Sequence, residues 1–159
     1  MVASDTTDVL DGLRRVLQAL REGARQAEAG LKISGAQLFV LQVVAQAPGL
    51  SLNDLAARTR THQSSVSVVV ARLVEAGLLR RERAPHDARR MVLSLTAKAR
   101  KLLARAPDVP QHRLIAAVEA LPKAQRAVLA KALGSITKAM AVDGAAPMFF
   151  EAPEKKRKS

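Results

Sequence analysis

Residues 52–96 read LNDLAARTRTHQSSVSVVVARLVEAGLLRRERAPHDARRMVLSLT, and the order of signals in this stretch decides the fold. Ser51, followed three positions later by Asp54, opens a short helix through Arg58, with the acid in the first turn where the helix dipole favours it. Thr59, Arg60 and Thr61 then make a three-residue connection. Residues 62–76 carry two competing patterns. Ser65-Val66-Ser67-Val68 alternates as a strand does, and Val68, Val69 and Val70 are β-branched. Val66, Val70, Leu73 and Gly77 nonetheless recur at helical spacing, with Thr61 or His62 as a start and Gly77 as a stop, so a helix of about four turns is expected. Residues 78–82 and 91–95 are short apolar runs flanking the basic stretch RAPHDARR (83–90), whose Pro and Asp supply turn chemistry. They predict a β-hairpin with a charged tip.

Short helix, three-residue turn, longer helix ending at Gly, then a charged hairpin is the order of a winged helix-turn-helix. Upstream, Leu10, Leu13, Leu17, Leu20, Ala24 and Ala27 repeat every three or four residues, a narrow helical seam suited to packing on another helix. Ser34 and Gln37 form a capping box in front of LFVLQVVAQ, a helix expected to run to about Gln46 and to stop at Pro48 and Gly49. Downstream, Thr96 caps a helix from Ala97 to about Ala106, which Pro107 and Pro110 must break or kink. Leu114, Ala117, Val118 and Leu121 resume the helical pattern; Pro122 suits the first turn of a last helix striped by Val128, Leu129, Leu133, Ile136 and Met140. The predicted fold is mainly α with a small β-wing: an N-terminal helix (1–33), a winged helix-turn-helix (34–96), C-terminal helices (97–142) and a basic tail (143–159). Met148, Phe149 and Phe150 suggest that this tail is either mobile or docked in an apolar groove of the flanking helices, leaving EKKRKS for a DNA backbone.

Composition narrows the partner. Twenty-six Lys and Arg against fourteen Asp and Glu give +12, and residues 80–105 alone hold nine bases and two acids. Such a concentration points to an anionic polymer. With three Phe and neither Tyr nor Trp, the chain lacks the rings on which single strands and RNA bases are usually stacked, so duplex DNA is favoured. Zero cysteines exclude disulfides and thiol chemistry. An acidic start and the absence of a long apolar run predict neither a signal peptide nor a membrane span, hence a cytoplasmic protein. His62, His86 and His112 lie in different elements without a metal-ligand spacing, and no nucleophile, carboxylate pair or phosphate loop stands out; no metal, no cofactor and no enzymatic activity are expected.

The chain resembles the multiple-antibiotic-resistance regulator (MarR) family of bacterial transcription factors over roughly residues 10 to 140. The likeness is carried by LNDLAARTRTHQSSVSVVVARLVEAGLLRR and HDARRMVLSLT: Leu55-Ala56, Ser65-Val66-Ser67, Leu73 with Gly77-Leu78, the wing signature Asp87-Ala-Arg89, and Leu95-Thr96. It implies a homodimeric, ligand-responsive repressor on a pseudo-palindromic operator, with recognition helices in successive major grooves and wings in the adjacent minor grooves. The dimer contacts it implies are Leu10, Leu13, Leu17 and Leu20 with Leu129, Leu133 and Ile136, and the effector a small aromatic or phenolic molecule.

At the DNA, Gln63, Ser64, Ser65 and Ser67 offer groups for base edges. Arg89 suits a narrow minor groove, oriented by a bidentate pair with Asp87. Arg83 and Arg90 suit phosphates, and Arg60, His62 and Arg72 complete the expected surface. Three features depart from the family pattern. Val68 stands where a basic residue is common, suited either to thymine methyls or to packing; Ala99 replaces a Gly; and the paired prolines interrupt a helix that is continuous in many relatives. The residues also fit an antirepressor that binds another regulator, or a nonspecific architectural protein; sequence-selective binding separates these readings.

Overall fold

The computed structural model describes residues 2–142 and 144–149, with side chains from residue 4 onward. The elements follow in the order α1 (Val2–Leu31), α2 (Gly35–Gln46), α3 (Leu52–Thr59), α4 (Gln63–Glu75), β1 (Leu79–Ala84), β2 (Asp87–Leu95), α5 (Ala97–Leu103), α6 (Pro110–Ala120) and α7 (Lys123–Ala139). The chain is mainly α-helical with one two-stranded antiparallel sheet. The β-like stretch at residues 65–70 is helical because Val66, Val69, Val70 and Leu73 all reach the core from one side of α4, a burial that outweighs β-propensity.

Helix α2 is the centre of the core. Leu38, Phe39, Val40, Leu41, Val43 and Val44 are buried, and α1, α3, α4, α5 and β2 all pack around them. Its start is fixed as expected: Ser34 Oγ accepts the Gln37 N–H, and Gln37 Oε1 accepts the Ser34 N–H. Gln42, the polar interruption of this apolar helix, reaches out instead of in. Its amide donates to the Pro107 carbonyl (2.9 Å), and its Oε1 lies 3.2 Å from His112 Nε2. The break between α5 and α6 that the two prolines demand is thereby tied to the core.

Pro110 opens α6 and lies against α1 at Gly23. A Cβ at Gly23 would sit 2.4 Å from Pro110 Cδ and 2.8 Å from Cγ, and a proline ring cannot swing away. Gly23→Ala should therefore destabilise the fold by about 1–3 kcal/mol despite the helix propensity gained, whereas Gly30→Ala, with open space around it, should stabilise by about 0.5 kcal/mol. Paired thermal melts check both signs.

His112 stacks edge-on to Phe39, ring centroids 4.8 Å apart, and burial holds its pKa below the ordinary histidine value, opposed by Asp108. A histidine whose folded pKa is depressed contributes stability that is full above its unfolded value, about 6.5, and lost as pH falls through the folded value. The melting temperature should therefore fall between about pH 7.5 and pH 5, and His112→Gln should flatten that fall. A second, acidic loss belongs to Asp54. Its carboxylate is held low by hydrogen bonds from Ser51 and by the Arg90 charge, so its contribution disappears only as pH drops below 3.8.

Among the described residues no helix is long and apolar enough to cross a membrane. Helix α7 has no buried residue, and Val128, Leu129, Leu133 and Ile136 line it in the open. Met148 is buried in the main apolar cluster, Ala146 accepts a hydrogen bond from Ser65 of α4, and Phe149 is half exposed. Phe150 and the basic stretch after it lie outside the described residues.

Candidate nucleic-acid interface

Helices α3 and α4 are joined by Arg60, Thr61 and His62, one residue later than the sequence pattern suggests, because Thr59 stays helical with its buried hydroxyl donating to the Leu55 carbonyl. Arg60 takes the left-handed conformation (φ 53°) that ends α3. The start of α4 has no side-chain cap, and His62, Gln63 and Ser64 are exposed there. Ser67 is half buried and Val68 is 38% exposed, so Val68 belongs to the outward face of α4. Arg72 is half buried on the same helix.

The far end of α4 is locked. Gly77 takes φ 70°, a conformation that needs glycine for its low cost, and turns the chain into β1. Thr96 Oγ1 donates to the Gly77 carbonyl (2.8 Å) and accepts the Ala99 N–H (3.2 Å), capping α5 while holding the hairpin base to α4. Lys98 Nζ donates to the Ala76 carbonyl, a cation at a helix C-terminus that sequence reading missed. The hairpin runs in register from Leu79 opposite Leu95 to Arg83 opposite Met91, with a bulge beyond Arg83 and a tip at Pro85 and His86. A further bond, Leu93 N–H to the Leu50 carbonyl, ties β2 to the chain two residues before α3.

Four candidate residues are used otherwise than expected. Arg60 pairs with Glu119 of α6 (Nη2 to Oε1 2.6 Å), which fastens the helix-turn-helix connection to the C-terminal helices. Arg90 pairs with Asp54 of α3, so it braces the wing against the capping box of that helix. Asp87 accepts the Arg89 backbone N–H (3.0 Å) and not its guanidinium, which shapes the wing and leaves the exposed Arg89 side chain to point elsewhere. Ser65 is buried, and its hydroxyl donates to the Ala146 carbonyl (2.7 Å). Each partner lies far away in sequence or on the main chain, where local spacing gives no signal. Arg83 stays exposed on β1 with a weak bond to the Ala88 carbonyl, and Arg81, which was not singled out, is exposed beside it. Of the seam residues, Leu10, Leu13 and Leu17 are 37–44% exposed and Leu129, Leu133 and Ile136 are 39–40% exposed; Leu20, at 1%, is a core residue of the single chain.

This geometry defines a winged helix-turn-helix protein, its second helix and basic wing held rigidly by the core. Residues 31–90 match a family model described as the MarR family. A Thauera aromatica protein with the provisional name of a transcriptional regulatory protein for the hcr operon is 36% identical over 92 residues. That match takes in 58% of this chain and 55% of the relative, so the chain spans about half of the relative's length. Solved structures share the fold over most of the chain. RV1404 of Mycobacterium tuberculosis is 25% identical, with TM-score 0.53, covering 92% of this chain and 99% of its own. BldR of Sulfolobus solfataricus, a transcriptional regulator, is 19% identical with TM-score 0.55, covering 89% and 98%. MepR of S. aureus, solved in complex with DNA, is 18% identical with TM-score 0.55, covering 83% and 94%.

Proposed function

We propose that the chain is a sequence-specific, duplex-DNA-binding transcriptional regulator acting as a homodimeric repressor in the cytoplasm, a binding protein and not an enzyme. The observation that carries this is the rigid pairing of an exposed α4 N-terminal end with a wing that presents Arg81, Arg83 and Arg89, on a segment that matches the MarR family model. A helix of this kind fits a major groove, and an arginine on a wing tip fits a narrow minor groove. The unit is residues 34–96; residues 1–33 and 97–142 form its dimerisation arm.

Homodimerisation is supported by the two unpartnered apolar stripes, Leu10, Leu13 and Leu17 on α1 and Leu129, Leu133 and Ile136 on α7. A lone chain exposing both would be prone to association, and pairing of two copies covers them symmetrically. Sedimentation of the complex should give two chains per duplex. Arg89→Ala should weaken duplex binding about tenfold to a hundredfold without moving the melting temperature. Equal binding of a duplex and of its separated strands would contradict the reading.

Response to a small aromatic effector is the finer part of this proposal. A cleft of about 230 Å³ lined by Val16, Ala19, Leu20, Pro110, Arg113 and Leu114 lies where α1 meets α6 and pairs an apolar floor with one cation. Next to it in sequence, Gln111 holds a buried side-chain amide without a hydrogen-bond partner among the described residues, a group that a polar ligand would satisfy. A melting temperature unmoved by benzoates and phenols at millimolar concentration would contradict the effector reading.

A further inference from the structure

The outward face of α4 is apolar at its middle. Val66, Val69, Val70 and Leu73 point into the core at 0% exposure, and Ser64, Val68, Ala71 and Glu75 lie opposite them in one exposed stripe. Arg72, the one basic residue of the helix, stands to the side of this stripe and is half buried. A β-branched residue costs helix propensity relative to alanine, and a valine that is 38% exposed recovers little of that by packing within the chain. Val68 therefore contributes little to the core or to the helix.

The two ends of the stripe differ in charge. Glu75 is exposed at the C-terminal end, where it would repel a phosphate, whereas Gln63 and Ser64 are exposed at an N-terminal end that has no side-chain cap. A duplex is thus met by the first turns of the helix. From Ser64 to Ala71 the stripe spans about 10 Å, or about three base-pair steps. The exposed Arg81, Arg83 and Arg89 of the wing supply the positive charge that the stripe itself lacks.

In the major groove a base pair shows hydrogen-bonding groups and a single apolar one, the C5-methyl of thymine. Val68 and Ala71 neither donate nor accept, so against guanine or cytosine they would take water from polar groups and return nothing. Against thymine they cover a methyl. Gln63 adds an amide that matches adenine, and the Ser64 hydroxyl donates or accepts as the base requires.

We propose that Val68, with Ala71 beside it, reads thymine methyl groups in the major groove, so that the preferred half-site is rich in A·T pairs where α4 enters it. The proposal rests on the DNA-binding reading above and names the base chemistry which that reading leaves open.

The test uses the full chain and a duplex that it retains from a random pool at about 150 mM salt, remade with deoxyuridine in place of thymidine so that only methyl groups are lost. Losing one buried methyl from each half-site should weaken binding by the dimer about fifteenfold, with the salt slope unchanged because no phosphate contact is touched. Val68→Ala should bind the thymine duplex about tenfold more weakly, narrow the thymine-to-uracil ratio to about fourfold or less, and not lower the melting temperature. Equal binding of the two duplexes by the parent would overturn methyl readout while leaving the regulator reading intact. A Val68→Ala protein that kept the parent's full ratio would remove Val68 from the role. Retained half-sites made only of G·C pairs would also overturn the proposal. A parent that retains no duplex in preference to another would overturn the regulator reading and, with it, this one.

Discussion

Raising salt from about 50 to about 200 mM is expected to weaken duplex binding by roughly 10³-fold or more. The expectation follows from where the charge sits. Residues 80–105 hold nine of the chain's basic residues, and Arg81, Arg83 and Arg89 of the wing are exposed. Each phosphate neutralised by such a cation releases condensed counterions, and a dimer doubles their number. Arg60 and Arg90 are discounted because Glu119 and Asp54 already occupy them. Fluorescence anisotropy of a labelled duplex at several salt concentrations gives the slope directly. A slope of magnitude below about 3 would mean that the wing does not engage the backbone.

Leu41→Ala should be among the most damaging of the single core truncations in α2, at about 2–5 kcal/mol. Leu41 is fully buried in the helix around which α1, α3, α4, α5 and β2 pack, so its neighbours are held on several sides and cannot collapse into the space. For a chain of this length the melting temperature should fall by roughly 5–15 °C. The same truncation at Leu133, which is 40% exposed on α7, should cost the single chain little and act instead on the association of two copies. Thermal melts of both variants at low and high protein concentration separate the two effects. A Leu133→Ala variant whose melting point fell as far as that of Leu41→Ala, independently of concentration, would place α7 within the single-chain core and remove it from the dimer arm.

Much of the fold was legible because its signals are local. The Ser34 and Gln37 box, the Ser51 and Asp54 box, Thr96 as a cap, Gly77 as a stop and the two prolines as a break each act within a few residues of themselves. The chemistry of such positions is set by backbone groups three or four residues away, which sequence spacing encodes. The candidate surface was legible as a region, since the helix-turn-helix order and the basic hairpin are both sequential features.

Individual side chains were harder to read. Arg90 and Arg60 look like phosphate ligands in a basic stretch, and only the fold brings Asp54 and Glu119 to them. Asp87 beside Arg89 suggests a side-chain pair, yet a turn offers its carboxylate a backbone N–H two residues on, the commoner use of aspartate at such a place. Leu20 belongs to a periodic seam whose lower half turns inward where α1 meets α6, and periodicity alone cannot say where a stripe passes from interface to core. Ser65 is the clearest case, because its partner is 81 residues away in a segment with no regular structure.

The central claim is specific recognition of duplex DNA by a dimer. Its most direct test is to retain random duplexes on the purified protein at about 150 mM salt against an excess of bulk DNA, and to sequence what remains. A pseudo-palindrome with half-sites about one helical turn apart, set by two recognition helices related by a two-fold axis, is the predicted result. A retained pool no different in sequence from the input would contradict the claim.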